Sequence, residues 1–505
     1  MSNAVVDGFL ITLQYFWLVP LGAMVGMIVG AIPGLSPPNA LAAMIPVLIV
    51  LSPEAGLIFC ISLYAGAEMG NSFPAVMINI PGTAAAAVTA LEGYELKKQG
   101  RAARALGVCI MASTIGALIG GVASISSAPL LAELALRFSA VEISIIIVFG
   151  LVVIAQISAG GLAKGLFAGF FGLMLATAGT DPLWGQMRGT FGSSYLFDGI
   201  STVAALVGLL GFSELLIIIE GNNKAQRDLS SVKLGLSEIV KGFKIVLRRP
   251  FQCLRAGGIG VAVGMVPGAG GSAASFVAYQ QSNAFASPKA KKFFGRGSYE
   301  GLLAADTANN AMVGGALVPL LTLGLPGSAT MVVVLIIMQY HGLEVGPRLF
   351  ETSGPLAYAV LWSQFLAAPF ILIFGTLLAS VAYRVAYVPN NILVPIVAVF
   401  CIIGALTRNE ILFDVWVMLI FGVIGYFMKK NGYPVIALLL GLLLGHYFEG
   451  NVFRSLRMGF GSPEVFFTRP IAIVLWLLLV SVVVVPIISK WYSVRKQADV
   501  FDGRS

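Results

Sequence analysis

Gly30-Ala-Ile-Pro-Gly-Leu-Ser-Pro-Pro-Asn39 interrupts an apolar run that would otherwise make one membrane helix. Pro33 has no N–H for the i−4 ladder, Gly34 frees the backbone, and Pro37 and Pro38 bar an immediate return to a helix interior. Bare backbone is too costly to leave in lipid, so the break must lie inside protein or line a watery cavity. The second half repeats it as Gly264-Met-Val-Pro-Gly-Ala-Gly-Gly-Ser272. Residues 6–34 and 240–268 align without a gap at a shift of 234 positions; identical pairs include Gly8/Gly242, Gly26/Gly260, Gly30/Gly264, Pro33/Pro267 and Gly34/Gly268. A further break follows each copy, Asn79-Ile-Pro-Gly-Thr-Ala84 and Gly324-Leu-Pro-Gly-Ser-Ala329. Interruptions matched in kind and order point to a duplicated transporter with its site at the repeat interface.

Composition agrees. The chain has 505 residues, of which 58% are hydrophobic and 11% charged, with a mean hydropathy of +0.92. Soluble domains carry roughly a quarter charged residues. Many apolar stretches approach the roughly 20 residues that span a bilayer, so the fold class is an all-α polytopic membrane protein. The net charge of +8 sits in a few short loops, as the positive-inside rule expects, and does not suggest a nucleic-acid partner. Cys60, Cys109, Cys253 and Cys401 form no CxxC pair, and His341 and His446 stand far apart. No HExxH and no GxxxxGK[ST] is present, so neither a zinc enzyme nor an ATPase is indicated. The N-terminus lacks a basic segment before its apolar run, so no cleavable signal peptide is expected.

The layout follows from the breaks and the basic loops. A first repeat covers 1–220: a re-entrant hairpin at 20–51, a broken helix at 55–91 and four spans near 105–129, 141–158, 163–179 and 200–219. A cytoplasmic amphipathic connector covers 221–255. A second repeat covers 256–490: a hairpin at 256–286, a broken helix at 300–340 and five spans, with a cytoplasmic tail at 491–505. The total is about eleven crossings plus two re-entrant hairpins, as inverted repeats with discontinuous helices. Orientation comes from charge. Asp7, Leu10, Gln14 and Tyr15 of the first copy are replaced by Lys241, Lys244, Arg248 and Arg249 in the second. Lys97, Lys98, Arg101 and Arg104 mark 92–104 as cytoplasmic, and Lys289, Lys291, Lys292 and Arg296 mark 287–298. The N-terminus is then periplasmic and the C-terminus cytoplasmic. Arg454, Arg457 and Arg469 fall against this rule in the outward loop 449–470.

Each Pro-Gly break ends one half-helix and starts another, whose unpaired N–H groups form a partly positive end that binds anions. Thr83 and Ser328 occupy the cap positions. The expected substrate-binding set is Pro33, Gly34, Leu35, Ser36, Asn39, Asn79, Pro81, Gly82, Thr83, Pro267, Gly268, Gly270, Gly271, Ser272, Asn309, Asn310, Pro326, Gly327 and Ser328. Ser275 follows the second hairpin break and would add a donor. No Lys or Arg lies deep in a span, so an anion would be held by backbone and neutral side chains. Asn71, Ser72 and Thr307 lie about three turns before the second breaks and either reach the site or join helices. Glu68 is a membrane-embedded acid, the kind that is functional by default. Its matched position is Val313, with Asp306 only loosely at the same depth. Unwound carbonyls at the breaks suit a coupling cation. No permanently bound cofactor and no catalytic pair is indicated.

These motifs, with Leu91-Glu-Gly-Tyr-Glu-Leu-Lys-Lys-Gln-Gly-Arg-Ala-Ala-Arg-Ala-Leu-Gly107 and Ala308-Asn-Asn-Ala-Met-Val-Gly-Gly-Ala-Leu-Val-Pro319, resemble the large membrane subunit of the tripartite tricarboxylate transporters over nearly the whole chain. The resemblance implies a bacterial inner-membrane carrier working with a small membrane subunit and a periplasmic solute-binding protein. It implies citrate or another carboxylate as cargo and a Na+ or H+ gradient as drive. Where the family usually has Pro-Gly-Leu-Gly-Pro, this chain has Ser36 between Leu35 and Pro37. A stand-alone carrier and an anion channel are the alternative readings.

Overall fold

The computed structural model describes residues 2–32, 35–157, 161–181, 185–220, 235–385, 390–406 and 409–484. Pro33 and Gly34, most of the connector's first half and the tail lie outside them. The fold is helical. In chain order the helices are α1 (Ser2–Gln14), α2 (Leu18–Gly30), α3 (Pro37–Val50), α4 (Pro53–Gly70), α5 (Ser72–Ile78), α6 (Ala87–Lys98), α7 (Ala102–Ala135), α8 (Ala140–Ile157), α9 (Gly161–Ala176) and α10 (Thr202–Glu220). There follow α11 (Leu236–Leu247), α12 (Pro250–Gly264), α13 (Gly270–Phe285), α14 (Tyr299–Leu323), α15 (Ala329–Tyr340), α16 (Gly354–Val385), α17 (Asn390–Leu406), α18 (Leu412–Lys430), α19 (Val435–Met458) and α20 (Pro470–Val484). Among the described residues five helices, α7, α10, α16, α18 and α19, are long and apolar enough to cross a bilayer; the bent α1–α2 pair, turning by 70°, makes a sixth. Several shorter apolar helices accompany them, so this is an all-α, multi-pass membrane protein.

The chain forms two compact units, Met1–Leu136 with Ser201–Lys430, and Arg137–Ile200 with Asn431–Ser505. All four breaks lie in the first. There the glycines shared by the two copies set the packing. A β-carbon on Gly26 would lie 1.9 Å from the Leu63 carbonyl oxygen, and one on Gly260 2.3 Å from that of Ala308. Gly30 meets Ala67 and Gly264 meets Met312 in the same way, and from the other side Gly70 meets Met27 and Gly315 meets Val261. The α2–α4 and α12–α14 crossings are therefore built from equivalent glycine–carbonyl contacts. The outer helices follow suit: Gly8 brings α1 onto α16 beside Pro355, and Gly242 brings α11 onto α7 beside Arg104. Arg104 also holds Glu238 of α11 at 2.6 Å.

The helix ends are matched too. α5 stops at Asn79 and α14 at Gly324, both left-handed, with φ of 57° and 71°. Such a C-cap turns the chain out of the helix, and Pro81 and Pro326 prevent its resumption. The chain then restarts at Thr83 and Ser328, in extended backbone. The Thr83 side makes a single 3-10 turn, Ala84–Ala86, before α6; the Ser328 side enters α15 at once.

In the second unit Gly172 and Gly441 let α9 and α19 cross closely, and a short hairpin of β1 (Gly179–Thr180) and β2 (Met187–Arg188) joins α19 through a bidentate Arg188–Glu449 pair at 2.8 and 2.9 Å. Of the arginines against the charge rule, Arg469 pairs with the buried Glu142 at 2.8 Å, and Arg454 and Arg457 ride on α19, which runs on to Met458.

The crossings predict a sharp mutational contrast. Gly26→Ala and Gly260→Ala should each lower the melting temperature of the purified protein, because overpacking costs about 1–3 kcal/mol. Gly258→Ala, whose β-carbon meets nothing within 4 Å, should not. Equal behaviour of the three variants contradicts the packing.

Candidate functional site

The hairpins and breaks pair crosswise. The return arm of the first hairpin, α3, packs on α15, which starts at the second break. At its far end the Leu48 carbonyl faces the Nε2 of His341 at 3.2 Å. Burial lowers the His341 imidazole below its ordinary range, so Nε2 serves as a neutral N–H donor. The return arm of the second hairpin, α13, packs on the turn that starts at the first break. A β-carbon on Gly271 would lie 3.2 Å from the β-carbon of Ala85. The second hairpin's tip also reaches the second break, because Gly270 N–H donates to the Gly327 carbonyl at 3.2 Å. Gly268 and Gly270 adopt φ of 79° and 64°, which permits this sharp tip. Backbone from both Pro-Gly breaks thus converges on one glycine-rich tip.

The capping hydroxyls do what their positions require. Thr83 Oγ1 accepts from Ala86 N–H and Ser328 Oγ from Met331 N–H, each at 3.3 Å. Ser328 is buried and Tyr64 Oη stands 3.0 Å from its Oγ. One helical turn on from Tyr64, Glu68 accepts from Asn309 Nδ2 at 2.9 Å. Asn309 Oδ1 is where a β-carbon on Gly271 would clash, at 2.2 Å. A polar line therefore runs from the second break through Tyr64, Glu68 and Asn309 to the second hairpin's tip.

The expected site residues divide. Gly268, Gly270, Gly271, Asn309, Pro326, Gly327 and Ser328 are brought together, with Pro267 buried behind them and Ser272 in the first turn of α13. Gly82 lies against Asn71, whose Oδ1 would be 2.2 Å from a β-carbon there. Leu35, Ser36 and Asn39 open α3, with Leu35 and Asn39 buried; the Ser36 side chain makes no capping bond. Pro81 is exposed, and Asn79 is exposed and serves as a C-cap. Asn310 faces α7 instead, its β-carbon beside Gly116. Ser275 donates to the Ala305 carbonyl and so is engaged inside the second hairpin crossing. Pro33 and Gly34 lie outside the described residues.

Exposure is unequal between the two crossed pairs. The second break is buried from Gly324 to Ser328, as are Leu35, Pro37 and Asn39 of the hairpin that packs on it. The first break is exposed or half-exposed from Asn79 to Ala84, and Gly270–Ser272 opposite are half-exposed.

Sequence reasoning missed Glu92. Read as the start of a loop, it lies inside α6, fully buried, because α6 runs on to Lys98. Its carboxylate accepts from Tyr279 Oη at 2.7 Å and from the backbone N–H groups of Gly295, Gly297 and Ser298 at 2.6, 2.9 and 2.7 Å. It ties the helix after the first break to the loop after the second hairpin. Local sequence carries no signal for a partner 200 positions away.

Interrupted helices capped by hydroxyls and converging inside an apolar bundle make a multi-pass membrane protein built as transporters with discontinuous helices are. The chain matches the model of the Tripartite tricarboxylate transporter TctA family over residues 16–440 and belongs to that family. It is 31% identical over 480 residues, 95% of this chain and 94% of the relative, to an uncharacterized 52.8 kDa protein in the TAR-I ttuC' 3'region of Agrobacterium vitis. It is 29% identical over 243 residues, 48% of this chain and all of the relative, to an uncharacterized protein in the TAR-II ttuC' 3'region of the same organism. No solved structure matches.

The two caps should differ in weight. Ser328→Ala removes a buried cap and the partner of Tyr64 and should cost about 1–2 kcal/mol, the upper part of the usual range. Thr83→Ala, half-exposed on a single turn, should cost less. Tyr64→Phe should be non-additive with Ser328→Ala, as for any pair in contact. Melting curves of the four variants decide; equal, additive losses contradict the polar line.

Proposed function

We propose that this chain is the large permease subunit of a binding-protein-dependent secondary transporter that imports carboxylate-type organic anions on an ion gradient, by alternating access. The observation that carries the reading is the meeting of both breaks at the tip Gly268–Gly271. N–H groups at the starts of two half-helices, with the Thr83 and Ser328 hydroxyls, offer an anion donors without a fixed cation. Such a site holds a carboxylate and also lets it go. Family membership supports the tripartite partners, a small membrane subunit and a periplasmic binding protein.

The equivalent glycine contacts support two inverted repeats, with about eleven crossings and two re-entrant hairpins. Inverted repeats give two related arrangements of one site, each open to one side. The unequal exposure of the crossed pairs supports one such arrangement, closed at the first hairpin and second break and open at the second hairpin and first break. With residues 92–104 and 287–298 in the cytoplasm, and the N-terminus outside, this is the inward-open form in the inner membrane. The exchange of roles between the crossed pairs moves the hairpins as rigid bodies, in the manner of an elevator.

Proteoliposomes holding both membrane subunits, with the binding protein and a panel of labelled di- and tricarboxylates outside, test this. Saturable, gradient-dependent uptake of one carboxylate that needs the binding protein is expected. Gly270→Val, which forces a β-branched residue to positive φ at the tip, should reduce it at least tenfold, about 1.4 kcal/mol of lost stabilisation. Uptake without the binding protein would make the chain a stand-alone carrier, and a non-saturating conductance would make it a channel.

A further inference from the structure

The interior of the first unit holds a second polar cluster that the anion site does not use. Asp306, on α14, is buried. Its Oδ1 accepts two hydroxyls from the other half of the chain, Ser72 at 3.1 Å and Thr89 at 2.9 Å. Both hydroxyls spend their hydrogens on Oδ1, which leaves Oδ2 as the oxygen that must carry a proton or meet a positive charge. Its Oδ2 meets no nitrogen or oxygen donor among the described residues, and only the weakly donating Cys109 thiol of α7 faces the group. Every ion pair found among the described residues lies elsewhere. A buried carboxylate without a counter-charge is several kcal/mol too costly to persist, so the group takes either a proton or a cation.

The surroundings say what supplies the charge. Asn310, one turn on from Asp306, spends its Nδ2 on the Asp306 carbonyl and leaves Oδ1 without a partner. Ser113 is one turn on from Cys109 along α7, and three residues further Gly116 touches the β-carbon of Asn310, so Ser113 lies between Asp306 and Asn310 on the facing helix. Its neighbour Thr114 donates to the carbonyl four residues back, as do Ser62 and Thr322. Ser113 Oγ makes no such bond and has no partner, although the residue is fully buried. Three unpartnered oxygens from two helices thus flank one negative charge.

We propose that Asp306 Oδ2, Asn310 Oδ1 and Ser113 Oγ bind a monovalent alkali cation, with Ser72 and Thr89 fixing the carboxylate. Hard cations take oxygen ligands of this kind. A single carboxylate balances a single charge, whereas a divalent ion would leave net charge in the interior. A proton on Oδ2 can be donated to at most one of the other two oxygens, whereas a cation takes all three as ligands. Because Ser72 and Thr89 flank the first break on both sides while Asp306 precedes the second, occupancy joins the two halves of the transport site. This deepens the ion-driven reading above, but the binding itself can be measured without transport.

The test is thermal melting of the full chain in nanodiscs, without substrate, in NaCl or KCl against choline chloride at constant ionic strength and pH. A saturable rise in melting temperature with Na+ or K+ is expected. Asp306→Asn should abolish it. Ser113→Ala, which keeps the charge and the fold, should raise the half-saturating concentration about tenfold, equivalent to about 1.4 kcal/mol for one lost ligand. No response to either cation over choline, which would leave ordered water as the partner of these oxygens, overturns the proposal. So does an unchanged half-saturation in Ser113→Ala, or a melting temperature that follows pH and not the cation.

Discussion

A broken helix in a membrane leaves N–H and C=O groups that lipid cannot satisfy, and that cost shapes this molecule. Each half of the chain contains two breaks, and the hairpin of each half packs on the element that begins at the other half's second break. The first hairpin lies on the helix that begins at the second half's break, and the second hairpin lies on the turn that begins at the first half's break. Left-handed caps at Asn79 and Gly324 close one side of each interruption, and Thr83 and Ser328 close the other. Close covering demands that backbones touch, which is why glycines stand where helices cross. The small-residue packing common between membrane helices serves here to bury a break.

The same crossed arrangement yields chemistry. Covering each break with the opposite hairpin brings two half-helix starts to one tip, where the proposed anion would meet donors. It also divides the polar residues unevenly between equivalent positions. Tyr64 and Glu68 of α4 correspond to Asn309 and Val313 of α14, and Asp306 corresponds to Ile61. The glycine–carbonyl contacts recur in both copies; the side-chain network that crosses them does not. One crossed pair is buried and the other is exposed or half-exposed.

The breaks and the caps were legible because glycine and proline act on their own backbone, and the gapless shift between 6–34 and 240–268 is a property of the sequence itself. The convergence of Gly268–Gly271, Asn309 and Pro326–Ser328 followed from placing both breaks at one depth. What stayed hidden depends on partners far away in sequence. Glu92 reads as a loop acid until four donors from Tyr279 and residues 295–298 surround it. Asn310 sits beside Asn309 yet turns to α7, because adjacent helical positions face directions 100° apart. Tyr64 and Thr89 look like ordinary helix residues until Ser328 and Asp306 appear opposite them.

The most direct test of the crossed arrangement is a disulfide between Ala85→Cys and Gly271→Cys, in a background with Cys60, Cys109, Cys253 and Cys401 replaced. The β-carbon positions, 3.2 Å apart, lie close to the separation a disulfide spans. Formation of the bond within one chain, with transport stopped until a reductant is added, is the predicted result. Absence of the bond, or unimpaired transport by the bonded protein, would contradict the account.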